Sequence, residues 1–436
     1  MTYAEARDYI EKIGKKGSIP GLENICGLMH MLSDIQEKLK IIHIAGTNGK
    51  GSTSAYISGI LKQAGYKVGR FSSPAVFEYL EIFTINDVPI SEQEYADCME
   101  NVREASETLT ASGGGEPTAF EMETALAFLY FYRNDCDFVI LETGMGGTFD
   151  STNVISAPVC SVITSVSMDH MNFLGNTLYE IAGQKAGIIK QGRPVITAEQ
   201  KEEVLTVIRQ RALQKRAEFI RVEKPRRIFC HPEGTVMDYV SSSGIFLKDI
   251  HTRMLGTFQA ENMAVAIETV LWLKKAGLPI FEEDIKKGIA NARWPGRFER
   301  VCSRPAVYLD GGHNPGAAER IRETMEIYFT NSKIIYIMGV LADKDYETVL
   351  SITAPLADEI ITITPDHVRG LDGKILAEAA KKYNKNVFCA EHLEQAITQA
   401  AASAGTGGVI LVFGSLSYLA KAKEGMRKYV DWKERI

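Results

Sequence analysis

Residues 43 to 53 read HIAGTNGKGST, and this string limits the possible fold more than any other part of the chain. The run before it, KIIHIA (40–45), is short and apolar, as a buried strand would be. The run after it, STSAYISGILKQAG, places Ile57, Ile60 and Leu61 at helical spacing. Strand, glycine-rich turn and helix, in that order, make one unit of a parallel α/β sheet. Gly46, Gly49 and Gly51 let backbone N–H groups approach phosphate oxygens with no Cβ in the way, and the helix dipole adds to the attraction. Lys50 supplies a point charge, and Ser52 or Thr53 a hydroxyl for magnesium or phosphate. The loop is a variant, because the regular phosphate-loop pattern requires glycine at position 44 and this chain has Ile44.

Two further apolar runs repeat the design. DFVILETG (137–144) ends at Glu142, and PVCSVITSVSMDH (158–170) is read as a buried β-rich run closing on Asp169 and His170. Carboxyl ends of parallel strands converge on one rim, where ligands bind. Glu142 alone fits either an ordinary strand-end acid or a carboxylate that holds magnesium opposite a phosphate loop. With His170 nearby, the site could take Mn²⁺ as well as Mg²⁺.

A helix is expected over 119–133, and helices over 258–276 and 282–290. Between them, residues 217–256 alternate with period two and carry turn residues, which predicts a small antiparallel sheet added to the edge of the first. RWPGRFERV then breaks helical periodicity, setting the expected domains at 1–295 and 296–436. Strands near 306–310, 333–338, 359–363, 386–389 and 408–412 alternate with helices, the pattern of a second doubly wound α/β domain. A net charge of -6 gives no basic surplus for a nucleic-acid backbone. Seven cysteines without a CxxC pair, and a charged start MTYAEARDYIEKIGKK in place of a signal peptide, predict a cytoplasmic chain with no membrane partner.

GTNGKGS, SSP (72–74), ETGMGGTFDSTN (142–153), DH (169–170), QKAGIIK (184–190), RWPGRFE (293–299) and DGGHNP (310–315) occur in the order in which they stand in the folylpolyglutamate synthase and dihydrofolate synthase family, a branch of the Mur ligase superfamily. The chain resembles that family over nearly its whole length. The resemblance implies a P-loop-type, mainly parallel α/β domain with a small antiparallel sheet, followed by a Rossmann-like α/β domain. It implies an ATP-dependent ligase that joins L-glutamate to a folate, with dihydropteroate as a further acceptor left open. The monomeric state is implied in the same way.

By the same resemblance, Asn48, Gly49, Lys50, Gly51 and Ser52 hold the triphosphate, and Asn262, Arg297, Asp310 and His313 complete the ATP contacts. Ser73, Glu142 and His170 match magnesium ligands, two ions being expected, and Lys185 matches a lysine carbamylated to N6-carboxylysine. Lys50, Glu142, His170, Lys185 and His313 are the expected catalytic set, with His313 or the carbamate as candidate bases. Two departures stand out: Ala75 and Leu80-Glu81-Ile82 replace a His and an Arg of relatives, and DGGHNP replaces DGAHNP. IPGLENICGLM (19–29) and the altered loop after Pro74 are expected on the pterin side. Another Mur-type amide ligase with a different acyl acceptor, and a P-loop kinase or nucleotide switch, are the competing readings.

Overall fold

The apolar runs become strands of one large sheet because their backbones pair side by side while both faces are covered. In the computed structural model, which describes residues 1–15, 17, 21–198 and 200–429, this sheet holds β1 (Ile41–Ala45), β2 (Val68–Phe71), β3 (Phe83–Ile85), β4 (Val88–Pro89), β5 (Phe138–Glu142), β6 (Cys160–Ile163), β7 (Val195–Thr197) and β8 (Phe219–Arg221). The strand order is β4-β3-β2-β5-β1-β6-β7-β8. All neighbours from β2 to β8 are parallel, and β3 and β4 close one edge antiparallel. Every residue of β1 and β5 is buried. Their register sets Ile44 against Glu142, so the glycine-rich loop leaves β1 beside that acid.

Helices cover both faces. Lys50–Gln63, Gln259–Lys275 and Glu282–Asn291 build an apolar layer on one side, and Tyr3–Gly14, Glu23–Met31, Glu92–Ala111 and Ala119–Arg133 build the other. Reciprocal capping boxes at Ser91/Glu94 and Thr118/Glu121 satisfy the first N–H groups of the last two. The helix over 119–133 lies where the sequence places it. Of the segment 19–29, Ile19 and Pro20 lie outside the described residues.

Two expectations change. Residues 217–256 do not add an antiparallel sheet to the edge of the first: β8 extends the large sheet in parallel, while β9 (Arg226–His231), β10 (Gly234–Val240) and β11 (Phe246–Thr252) form a separate antiparallel sheet. Alternation explains it, since Met237, Tyr239, Leu247 and Ile250 turn one face into the same core as the helix Gln259–Lys275. The run ending at His170 also stops early. β6 ends at Ile163, and Asp169 and His170 sit on the following loop, His170 in left-handed backbone (φ 50°) before the short helix Met171–Leu174.

A second sheet contains β12 (Glu299–Ser303), β13 (Ala306–Asp310), β14 (Ile334–Met338), β15 (Glu359–Thr362), β16 (Val387–Cys389) and β17 (Val409–Phe413), ordered β12-β13-β17-β14-β15-β16. Five of these match the expected strands. β12, antiparallel to β13, was not signalled by the pattern. Among the described residues all seven cysteines are free, and no helix is long and apolar enough to cross a membrane.

Candidate active site

The loop after β1 is held in place by the protein itself. Thr47 N donates to Ser165 O at 2.7 Å, Thr164 Oγ1 donates to Asn48 O at 2.8 Å, and Thr47 Oγ1 donates to Ser167 O at 3.0 Å. Gly49, at φ 87°, caps the helix Lys50–Gln63 in a conformation that disfavours side chains. At Gly51 the constraint is space, because a Cβ there would collide with the Trp294 indole. The glycines therefore serve packing within the lobe as well as open access for a phosphate.

Charges gather behind the loop. Lys50 Nζ donates to Gly46 O at 3.1 Å and lies 3.8 Å from Glu142 Oε1. Lys185 Nζ donates to the same Gly46 oxygen at 2.8 Å. Lys185 is 3% exposed, and burial, reinforced by the Lys50 charge, lowers its pKa to about 7. Its helix, Leu178–Ala186, begins in a Thr177/Glu180 capping box and is gripped at its other end, where Thr148 N donates to Gln184 O at 2.8 Å. Burial raises the pKa of Glu142 against the pull of Lys50, and Glu142 Oε2 has no hydrogen-bond partner among the described residues.

The carboxyl ends of β13, β14 and β17 face this loop from the second lobe. Asp310 accepts from Phe298 N at 2.8 Å and Gly312 N at 2.7 Å, tying the chain beside Arg297 to the turn after β13. His313 Nδ1 lies 2.8 Å from Gly311 O. A proton on Nδ1 makes this a donor and leaves Nε2 as an acceptor, in keeping with a pKa lowered to about 4 by burial and by Lys344. Asp169 lies between the lobes, accepting from Lys344 Nζ at 2.9 Å and Asn314 Nδ2 at 2.9 Å. Burial works against its charge, but His313 and Lys344 more than compensate, so its pKa falls well below the usual carboxylate range. Asp169 is thus engaged in joining the lobes.

One cavity of about 850 Å³ runs between the two carboxyl edges, and the candidate residues singled out from the sequence line it, except Thr53, which is fully buried behind the loop. Ser73, Glu142, His170 and Lys185 stand on the phosphate-loop side, and Arg297, Asp310 and His313 come from the linker and the second sheet. Lys344 and Asn314 also line it and were not singled out. Asn314 had a faint signal, an Asn before Pro315 being a favoured start for a helix, whereas GVLADKD gives no reason to choose Lys344.

The loop after Pro74 is shaped by Glu81, which accepts from Val76 N and from Phe77 N, the latter at 3.0 Å. Val76 and Phe77 pack against an apolar cluster of the second lobe that includes Leu419 and Tyr418.

Among the described residues, no three His, Cys, Asp or Glu side chains converge as a ready-made metal cage. The donors nevertheless suit a magnesium ion, which commonly takes one or two carboxylates and completes its shell with phosphate oxygens and water. The unpartnered Glu142 Oε2 is the carboxylate oxygen left free for that use.

The Mur ligase middle domain model matches residues 44–270, and the model of the Mur ligase glutamate ligase domain matches residues 296–416. The dihydrofolate synthase/folylpolyglutamate synthase of Bacillus subtilis (strain 168) is 39% identical over 98% of this chain and 99% of its own. Among solved structures, Mycobacterium tuberculosis folylpolyglutamate synthase complexed with ADP superimposes with a TM-score of 0.88 at 28% identity, over 97% of this chain and 98% of that one. Escherichia coli FolC in complex with DHPP and ADP gives 0.86 at 29% identity, over 98% of each chain.

Proposed function

The chain belongs to the folylpolyglutamate and dihydrofolate synthase family of Mur ligases, and on that premise we propose that it uses ATP to join L-glutamate to the carboxylate of a folate, with dihydropteroate as a second acceptor. The observation that carries the reading is the cavity between two carboxyl edges, with a phosphate loop on one wall and Arg297, Asp310 and His313 on the other. A kinase or nucleotide switch has no use for the second wall. In this reading the lobes divide at 295/296, and the enzyme works as a monomer in the cytoplasm.

A carboxylate resists attack by an amine because it is anionic and carries no leaving group. An acceptor oxygen attacks the γ-phosphorus of ATP, ADP departs, and an acyl phosphate forms. The glutamate nitrogen then adds to the acyl carbon, loses a proton, and phosphate leaves with that acceptor oxygen. Amides of the loop Asn48 to Ser52 orient the triphosphate for in-line transfer, and Lys50 offsets charge on the moving group. Asn262 and Arg297 bind the nucleotide across the linker, while closure of the lobes excludes water from the acyl phosphate. Magnesium bound by Ser73, Glu142 and His170, with N6-carboxylysine at Lys185 where a second ion is held, would supply further charge neutralisation at the phosphates. His313, neutral at physiological pH, lines the cavity with Nε2 3.8 Å from Asp169 Oδ2.

Product analysis tests this. ADP and phosphate should appear in equal amounts only when acceptor, glutamate and ATP are all present, and parallel assays with dihydropteroate and a reduced folate should both give glutamylated product. Nucleotide hydrolysis that ignores acceptor and glutamate would overturn the reading.

A further inference from the structure

Asn314 occupies the N-cap of the second-lobe helix Pro315–Tyr328 and is 3% exposed. Its carboxamide uses its full hydrogen-bonding capacity. Oδ1 accepts from Ala317 N at 2.9 Å, capping its own helix, and from Asn48 Nδ2 at 3.2 Å. Nδ2 donates to Asn48 Oδ1 at 3.2 Å and to Asp169 Oδ2 at 2.9 Å. Asn48 belongs to the phosphate loop, and its remaining donor reaches Ser167 Oγ at 3.2 Å. One buried side chain thus joins the phosphate loop and the Asp169 loop of the first lobe to a helix of the second.

We propose that Asn314 is a positioning residue for the ligase reaction: a latch that sets the second lobe, and with it the adjoining His313, against the phosphate loop. The chemistry of the amide explains why this residue type serves. Asp could accept but not donate, and would set a second carboxylate against Asp169. Ser could cap the helix but could not form the two-way pair with Asn48. Other contacts also cross the cleft: Lys344 meets Asp169 at 2.9 Å, and Arg320 with Glu261 and Thr257 with Glu323 are more exposed, whereas Asn314 bonds to Asn48 of the phosphate loop itself. The latch therefore links closure to the loop that holds the nucleotide, and losing it shifts the lobes toward open arrangements in which the acyl phosphate is not formed productively.

The inference rests on the ligase reading above, and the experiment separates the two, since failure of that reading would leave the unaltered protein without glutamate transfer. Wild type, Asn314→Ser, Asn314→Asp, Asn48→Ala and Asn48→Ala/Asn314→Ser are compared for kcat, KM for ATP, Tm, and radius of gyration by small-angle scattering with ADP present. Asn314→Ser should keep Tm through its cap, lose about ten-fold in kcat and scatter as a more open particle, and Asn314→Asp should lose more. The double variant should be no worse than its weaker single parent, because both changes break one pair. The proposal is overturned if Asn314→Ser keeps kcat within about two-fold of wild type, if kcat falls only in step with Tm in both Asn314 variants, or if the Asn48 and Asn314 effects multiply.

Discussion

Lys50 and Lys185 direct their terminal nitrogens at one oxygen, the Gly46 carbonyl, at 3.1 and 2.8 Å. Burial, reinforced by repulsion from the Lys50 ammonium on the same acceptor, lowers the Lys185 pKa to about 7. Its neutral amine, the form that reacts with carbon dioxide, is about half the population at pH 7 and about one tenth at pH 6. Labelled bicarbonate should therefore give a carbamate carbon resonance that grows from pH 6 to pH 8 and is absent from Lys185→Ala. That variant should lose activity by about 100-fold or more and recover part of it with a small carboxylate in solution. Mass spectrometry of an active enzyme with Lys185 unmodified would refute the carbamate.

The same shift has a stability consequence. Between about 7 and the ordinary lysine value of 10.5, the unfolded chain holds a proton at this position and the folded chain does not, so stability rises with pH across that window. Urea unfolding of Lys185→Met should show a shallower rise with pH than wild type. Equal slopes would mean that Lys185 is not held neutral in the fold.

Glu142 tests the other side of the charge balance. Burial raises its pKa, so ionising this acid works against folding as pH rises through its ordinary range, and the cost is present at pH 7. Glu142→Gln should therefore keep or raise Tm at pH 7 while glutamate transfer falls by about 100-fold or more, a separation typical of sites kept for function. Lys50→Ala should be equally inactive in the same assay. Full turnover by either variant at saturating magnesium would contradict their assigned roles.

Gly51 and Trp294 make a packing prediction. A Cβ at Gly51 would collide with the indole, and the Arg70 guanidinium, 5.0 Å from the ring centroid on the indole face, limits its retreat. Gly51→Ala should cost about 1–3 kcal/mol in chemical denaturation, as overpacking does. Adding Trp294→Leu should make the two costs less than additive. Strict additivity would show that the ring yields freely.

Much of this arrangement is legible in the sequence where one stretch of chain carries its own signal. IIHIA (41–45) and FVILE (138–142) are buried throughout as parallel strands, and GTNGKG turns directly into a helix. The motif residues, scattered from Asn48 to His313, line one cavity because the carboxyl ends of two parallel sheets face each other. What could not be read was set by pairing between distant segments. β8 looks like part of the hairpin region but finds β7 as its parallel neighbour, and β12 is a strand only because β13 offers it an edge. Lys344 carries no local mark of its role and Asn314 marks only a helix start, since their partner Asp169 lies 175 and 145 residues away in the chain.

The central claim is that an acceptor carboxylate becomes an acyl phosphate between the lobes. Synthesis of a folate with both oxygens of the reacting carboxylate labelled with oxygen-18, followed by one turnover with ATP and glutamate, tests it most directly. The account predicts one labelled oxygen in each inorganic phosphate released and the other in the new amide. Unlabelled phosphate, with product still formed, would contradict it.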